Sequence, residues 1–158
     1  MVACILAVAA SAAAAAPPST GLLVPGSSLG GLALGHTEAE VEAAWGRAYG
    51  RCRNCGRETW YFNYFAFQPR GAGVELRRGR VVAIFTLYQP TGWRTQVGLE
   101  LGDPVARVTS TYGSLTRTEC GGYYALLLPR RGTVTTFYVL DGRLWAFGLS
   151  TTGVPVCR

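Results

Sequence analysis

Apolar residues follow a helical spacing in two stretches of the chain, residues 32–46 and residues 99–113. Each stretch carries apolar residues four positions apart, which places them on one face of a helix. These residues are Val41 and Trp45 in the first stretch, and Val108 and Tyr112 in the second. The pattern predicts one short amphipathic helix in each stretch, and the shared order of residues predicts a tandem repeat.

The residues at the expected helix ends support both assignments. Thr37 and Glu40 have the spacing of a capping box, in which each side chain accepts a hydrogen bond from a backbone N–H group of the other residue. In the second stretch Asp103 is the expected N-cap, and Pro104 follows at the first helical position, where proline is tolerated. A glycine ends each stretch, as is common after the last helical turn.

Strand patterns follow each predicted helix. Dense aromatic and β-branched runs, or alternation of apolar and polar residues, are typical of strands. The predicted strands are residues 59–65, 74–77 and 80–88 in the first half, and residues 123–128, 133–140 and 143–150 in the second. Tight turns such as Arg78-Gly79 and Asp141-Gly142 separate neighbouring strands. We therefore expect an α+β fold of two tandem repeats, each an N-terminal helix followed by a three-stranded antiparallel meander.

Composition divides the chain into five segments. Residues 1–16 are apolar and rich in alanine, which predicts a signal peptide, and the run is shorter than the roughly 20 residues that a membrane span needs. The other segments are a linker at 17–31, for which a loosely attached first strand is the alternative, the first repeat at 32–88, an inter-repeat linker at 89–96, and the second repeat with a C-terminal tail at 97–158. We expect a protein that is secreted or located in the cell envelope.

The charge of the chain is positive and comes entirely from arginine. Its 158 residues include 15 basic and 9 acidic ones, which gives a formal net charge of +6, and the sequence holds no lysine. One explanation for the use of arginine is that its side chain can bind an anion through two hydrogen bonds. The alternative is an arginine-rich coding composition, which explains the same excess of arginine over lysine. The arginines are scattered rather than interleaved with aromatic residues, so the pattern does not favour nucleic-acid binding.

Four cysteines follow the predicted signal peptide, and an even number in an exported protein indicates disulfides. They allow three connectivities, and we favour Cys52–Cys55 and Cys120–Cys157 because each pair then lies within one half of the chain. A cell-envelope thiol oxidoreductase that uses the Cys52-x-x-Cys55 pair is an alternative, although this pair does not belong to a βαβ unit. One such pair is weak support for a metal site, so we expect no metal and no other cofactor.

The string Leu-x-Leu-Gly-x-Thr-x-x-x-Val-x-x-x-Trp-Gly at residues 32–46, followed by an aromatic strand and a Gly-Arg-Val strand, resembles the repeat of the β-lactamase inhibitory protein family. It is also similar to the BamE (SmpA/OmlA) outer-membrane lipoprotein domain. The resemblance extends from Leu32 to Ser150, and it implies sheets that join into one curved surface with helices on one side. It also implies a concave side that grips a protein partner. The cysteine spacing and the arginine-rich turns depart from the inhibitors, so the resemblance does not identify the target, and we do not assign inhibition of a β-lactamase to this chain.

Alternation assigns the strand residues to two faces of the predicted sheet. One face, with Trp60, Val74 and Phe137 among its members, is expected to meet the helices. The other face is expected to be open and to bind a partner through Tyr61, Asn63, Glu75, Arg77, Thr136 and Tyr138. Exposed aromatic residues beside arginine and a carboxylate are typical of protein-binding surfaces.

These features predict an exported, non-enzymatic protein-binding module, such as an inhibitor of an extracellular or envelope enzyme. Its expected partner is an extracellular or envelope protein, with no nucleic acid and no stable membrane span after processing. His36 is the single histidine, and no serine nucleophile motif or acid pair accompanies it, so we expect no catalytic residues. A glycan-binding or cell-wall-binding module is a further alternative, because exposed aromatic rings can stack on sugars.

Overall fold

The computed structural model describes residues 20–52, 54–63, 71–87 and 92–158, and the predicted signal peptide, residues 1–16, lies outside them. The described residues form two helices and twelve strands. The helices are α1 (Glu38–Trp45) and α2 (Val105–Tyr112). The strands are β1 (Gly21–Val24), β2 (Ser28–Leu29), β3 (Leu32–Ala33), β4 (Gly50–Cys52), β5 (Glu58–Asn63), β6 (Gly71–Arg77), β7 (Arg80–Leu87), β8 (Trp93–Thr95), β9 (Thr116–Glu119), β10 (Tyr124–Arg130), β11 (Thr133–Leu140) and β12 (Arg143–Thr151).

The fold is mostly β, and the predicted α+β architecture of two repeats, each a helix followed by a three-stranded meander, is wrong. Of the described residues, 51% lie in strands and 13% in helices. The prediction failed because short strands carry little pattern of their own. Residues 21–29, for which composition predicts a linker or a loosely attached strand, contain β1 and β2, while β4 and β9 lie where the sequence predicts no strand. Pairing with distant strands fixes such strands more than local alternation does.

Eight antiparallel strands form the larger sheet, in the order β4-β5-β6-β7-β12-β11-β10-β9. β7 and β12 meet at its centre, where Phe85 pairs with Gly148. Next to this pair, the Thr86 hydroxyl donates to the Phe147 carbonyl at 3.3 Å and accepts from the Phe147 N–H at 2.9 Å. The side chain of Thr86 thus ties the two central strands together. The smaller sheet has the order β3-β2-β1-β8, with β1 and β8 parallel.

One face of the larger sheet packs against both helices and the smaller sheet, and we call it the inner face. Large aromatic side chains from all these layers are fully buried at this interface, and each removes roughly 150–250 Å² from water. They are Trp45 of α1, Trp60 and Phe62 of β5, Trp93 of β8, Phe137 of β11 and Phe147 of β12. The predicted packing faces of the two helices are confirmed at Val41, Trp45 and Val108, which are all buried in this core.

The start of α1 follows the prediction, whereas the start of α2 does not. The Thr37 N–H donates to a carboxylate oxygen of Glu40 at 2.7 Å, and the Glu40 N–H donates to the Thr37 hydroxyl at 3.3 Å. The capping box is therefore confirmed. In α2 the N-cap is Pro104, so the predicted N-cap role of Asp103 is wrong. The Asp103 carboxylate instead pairs with Arg107, one helical turn along the chain, at 2.8 Å.

An arginine fixes the loop before each helix to the start of a strand. Arg80 donates to the Gly35 carbonyl at 3.2 Å, and Arg143 donates to the Gly102 carbonyl at 2.9 Å. Both glycines have φ in the left-handed region, 87° and 91°, which glycine adopts without strain. Arg80 and Arg143 therefore have structural roles within the fold.

Candidate binding surface

The outer face of the larger sheet, opposite the inner face, carries the residues that were predicted to bind a partner. Tyr138 belongs to a buried cluster on this face, together with Ala125 and Ala146. Glu75 is 7% exposed, and Thr136 and Tyr138 are each 1% exposed. The expectation that these three side chains lie open to a partner is therefore wrong.

Residues 152–158, which we call the strap, lie over the outer face and contact Tyr138 and Glu75. The Tyr138 hydroxyl donates to the Val156 carbonyl at 2.5 Å. The Tyr123 hydroxyl donates to the Arg158 carbonyl at 2.6 Å and accepts from the Arg158 N–H at 2.8 Å. Burial raises the pKa of Tyr138 above its ordinary value, so its hydroxyl keeps the proton that it donates even in alkaline solution. Two tyrosine hydroxyls thus hold the backbone of the strap.

Glu75 forms a buried charge cluster beneath the strap. Its carboxylate pairs with Arg57 at 2.6 Å and with Arg158 at 3.5 Å. The Arg158 guanidinium also lies 5.2 Å from the centre of the Phe85 ring. A carboxylate that is removed from water needs such pairing, because an unpaired buried charge is strongly destabilising. The fold itself therefore accounts for Glu75, and the strap supplies one of its two partners.

The remaining predicted residues lie at the margin of the outer face. Tyr61 is half-buried and packs edge-on against Phe85, with ring centres 6.2 Å apart. Arg77 is exposed at the end of β6. The side chain of Asn63 lies outside the described residues. Among the described members of the predicted set, Arg77 is exposed and Tyr61 is partly exposed.

Both predicted disulfides are present. Cys52 is joined to Cys55 between β4 and β5, and Cys120 is joined to Cys157 across a sequence separation of 37 residues. The second disulfide fixes the strap to the end of β9. The first lies between two strands, and no helix begins at its described neighbours. Two disulfides are typical of proteins that fold outside the cytoplasm.

Each edge strand of the larger sheet has an arginine that stacks on an aromatic ring of the neighbouring strand. The Arg51 guanidinium lies 4.6 Å from the centre of the Trp60 ring, and the Arg117 guanidinium lies 3.7 Å from that of Tyr124. Tyr49 also stacks on Trp60, with ring centres 4.1 Å apart. Short, charged edge strands discourage pairing with a second sheet. Sequence reasoning missed these contacts because neither β4 nor β9 was predicted.

Four exposed arginines lie at one end of the larger sheet, and we call this group the arginine end. Arg77 and Arg78 belong to the hairpin between β6 and β7, and Arg130 and Arg131 belong to the hairpin between β10 and β11. β6 and β10 are four places apart in an antiparallel sheet, so both strands finish on the same side. The centres of the two hairpins are three strand spacings apart, about 14 Å.

The four residues of the arginine end form no ion pair within the described part of the chain. Six other arginines do form one: Arg47, Arg51, Arg57, Arg107, Arg117 and Arg158. Positive charge that the fold does not neutralise is available to an acidic partner. The four arginines are visible in the sequence, but only the strand order shows that the two hairpins lie at the same end of the larger sheet.

Within the described residues, no group of three or more His, Cys, Asp or Glu side chains is arranged to hold a metal ion. His36 is half-buried, and its Nδ1 accepts a hydrogen bond from the Ala33 N–H at 3.4 Å. The single histidine thus has a backbone partner in the loop that precedes α1. Neither helix of the described chain combines the length and the apolar character needed to cross a membrane.

Comparison with known proteins gives a likeness of fold and no family. No protein-family model matches the chain, and no curated protein matches it. Its fold is similar to the crystal structure of an extracellular protein containing an SCP domain from Bacillus anthracis strain Ames, with a TM-score of 0.53 and 13% sequence identity over 75% of this chain. The match spans 44% of the length of that protein. At this identity the likeness shows the fold alone.

Proposed function

We propose that the protein is an exported binding domain that captures an acidic partner protein through the arginine end. The observation that carries the proposal is the group of four exposed arginines that have no ion pair within the described chain. The domain acts by binding and not by catalysis. The two disulfides support export, and the structurally similar protein is itself extracellular.

The chemistry of arginine supports an acidic protein as the partner. A guanidinium group presents parallel N–H donors that match the two oxygens of a carboxylate. Two hairpins about 14 Å apart offer a broad basic surface rather than a pocket, which suits a protein face with several Asp or Glu side chains. The net charge of +6 also favours rapid encounter with such a face.

The strap argues against the centre of the outer face as the binding surface. Tyr138 and Glu75 already have partners in the strap, and a second protein would have to displace it. The Cys120–Cys157 disulfide keeps the strap beside the outer face. The strap therefore acts as a tethered ligand at high effective concentration, and a second protein would have to compete with it for the same surface. Arg77 belongs both to the predicted site and to the arginine end, so part of the sequence prediction is retained in the proposal.

Capture followed by substitution tests the proposal. The protein, with both disulfides intact, is immobilised and exposed to the secreted and cell-envelope fractions of its host, and the Kd for the captured partner is then measured. The double variant Arg77→Gln/Arg131→Gln should bind about tenfold more weakly, because it removes two unneutralised cations. Binding of the unsubstituted protein should also weaken as salt is raised, since exposed charges are screened.

The matched control is Arg47→Gln/Arg94→Gln, which removes the same charge at exposed positions outside the arginine end. This variant should bind within about twofold of the unsubstituted protein, because the Arg47–Glu42 ion pair that it breaks lies outside the arginine end, where only the overall field changes. An equal loss in the two double variants, or no loss in Arg77→Gln/Arg131→Gln, would contradict the proposed function.

A further inference from the structure

The hairpin between β6 and β7 turns through two residues, Arg78 and Gly79, which both have a left-handed backbone. Arg77 pairs with Arg80 across the hairpin, and φ is 53° at Arg78 and 69° at Gly79. Positive φ at both loop positions is the signature of a type I′ turn. Asparagine, aspartate and glycine are favoured in this conformation, because other side chains crowd the backbone there.

The opposite end of the sheet provides an internal comparison. The hairpin between β11 and β12 turns through Asp141 and Gly142, with φ of 49° and 72°. It has the same two-residue loop and carries a favoured first residue. Arg78 and Asp141 are the non-glycine residues with positive φ among those described. Of these two, Arg78 is the one that local turn chemistry does not explain.

No contact in the described structure accounts for Arg78 either. Its side chain is exposed and has no hydrogen bond, ion pair or ring contact with the described residues. Glu38 approaches the same turn, with a carboxylate oxygen 3.7 Å from the position that a Cβ on Gly79 would occupy. Glu38 nevertheless forms no ion pair with Arg78. The strained backbone position is thus occupied by a cationic side chain, Arg78, that makes no polar or ring contact with the described residues.

We infer that Arg78 is the central recognition residue of the arginine end, and that it binds a carboxylate group of the acidic partner. This inference rests on the proposed function and names the residue that contributes most to it. Backbone strain that the fold does not require is concentrated at functional positions. At the tip of a two-residue turn, the guanidinium group can meet an Asp or Glu side chain with two N–H donors at once.

The substitution Arg78→Asn separates folding from recognition, because the two expected effects have opposite signs. Asparagine suits the left-handed turn, so the melting temperature should rise by about 2–4 °C. The Kd should rise about tenfold, both for the captured partner and for a fluorescent octaglutamate peptide, because a two-point contact is lost. An octaglutamine peptide of the same length serves as the uncharged control probe.

Arg77→Gln and Arg94→Gln are single-charge comparisons at exposed positions, and each should raise the Kd less than about threefold. The inference would be overturned if Arg78→Asn weakened binding no more than Arg94→Gln does. It would also be overturned if Arg78→Asn had a lower melting temperature than the unsubstituted protein, because Arg78 would then stabilise the fold. The proposed function is judged separately, by the Arg77→Gln/Arg131→Gln variant, in which Arg78 is intact. Tighter binding of polyphosphate than of octaglutamate would overturn the choice of a carboxylate.

Discussion

The Tyr138 hydroxyl and the Val156 carbonyl are joined by a hydrogen bond of 2.5 Å that links the middle of the outer face to the strap. Tyr138 is 1% exposed, and a hydroxyl in such a position needs a partner because burial removes it from water. The strap is therefore part of the folded structure. The strap lies over the outer face, which the alternation of residues along the strands predicts to be open.

Replacing Tyr138 by Phe should remove this hydrogen bond and leave the ring in place. We expect a loss of about 1–2 kcal/mol in the free energy of unfolding, because the Val156 carbonyl loses its donor. Denaturant unfolding of the oxidised protein measures the change. Tyr61→Phe, at a half-buried ring whose hydroxyl has no hydrogen bond with the described residues, is the control and should change stability by less than about 0.5 kcal/mol. Equal stability of Tyr138→Phe and the unsubstituted protein would show that the strap contact contributes nothing.

The two disulfides should differ in their contribution to stability. Cys120 and Cys157 are 37 positions apart and Cys52 and Cys55 only 3, and a longer closed loop restricts the unfolded chain more. We expect Cys120→Ser/Cys157→Ser to lose about 3–4 kcal/mol and Cys52→Ser/Cys55→Ser about 2 kcal/mol. Denaturant titrations of both variants give the comparison, and intact-mass measurement with and without reduction confirms that four thiols are paired. The reverse order of losses would be inconsistent with a strap held by its disulfide.

Gly73 should not tolerate a side chain. A Cβ built at this residue lies 2.5 Å from the Cζ atom of Phe85, closer than real contacts allow, and Phe85 is buried. Gly73→Ala should therefore cost about 1–3 kcal/mol, because the ring must move within a packed layer. Gly50→Ala is the control, since a Cβ at Gly50 meets no atom of the described residues within 4 Å. Thermal unfolding compares the two variants, and similar melting temperatures would mean that the Phe85 ring is not confined by Gly73.

The capping box of α1 should make the stability of the fold depend on pH in the acidic range. Hydrogen bonds from the Thr37 backbone and side chain hold the pKa of Glu40 below its ordinary value of 4.5. A carboxyl group whose pKa is lowered in the folded state stabilises that state above its unfolded pKa, and this contribution is lost as the pH falls through the lower, folded value. Melting temperatures measured from pH 6 to pH 3 should therefore fall less steeply for Glu40→Gln than for the unsubstituted protein. Parallel curves for the two proteins would exclude this role for Glu40.

Alternation predicted the long strands and the side on which their residues lie. β11 has the predicted bounds, and Val74 and Phe137 are buried in the core of the inner face as expected. The smaller sheet was not predicted, because strands of two to four residues are specified by distant partners such as β8. Local patterning cannot supply that information.

The closure of the outer face could not be predicted from strand periodicity. The strap contains no helical or strand pattern, and its position depends on tyrosine hydroxyls and on Arg158 beside Glu75. One signal was present, since the favoured Cys120–Cys157 pairing already brings the strap back to the end of β9. The arginine end could not be predicted from the sequence, because it depends on β6 and β10 finishing on the same side of the larger sheet.

The most direct test of the account is an NMR titration of the oxidised, ¹⁵N-labelled protein with the octaglutamate peptide. The account predicts that amide shifts concentrate at residues 77–79 and 130–132, and that they vanish with octaglutamine. Shifts centred on Tyr138 and the strap, or spread evenly over all exposed arginines, would contradict binding through the arginine end.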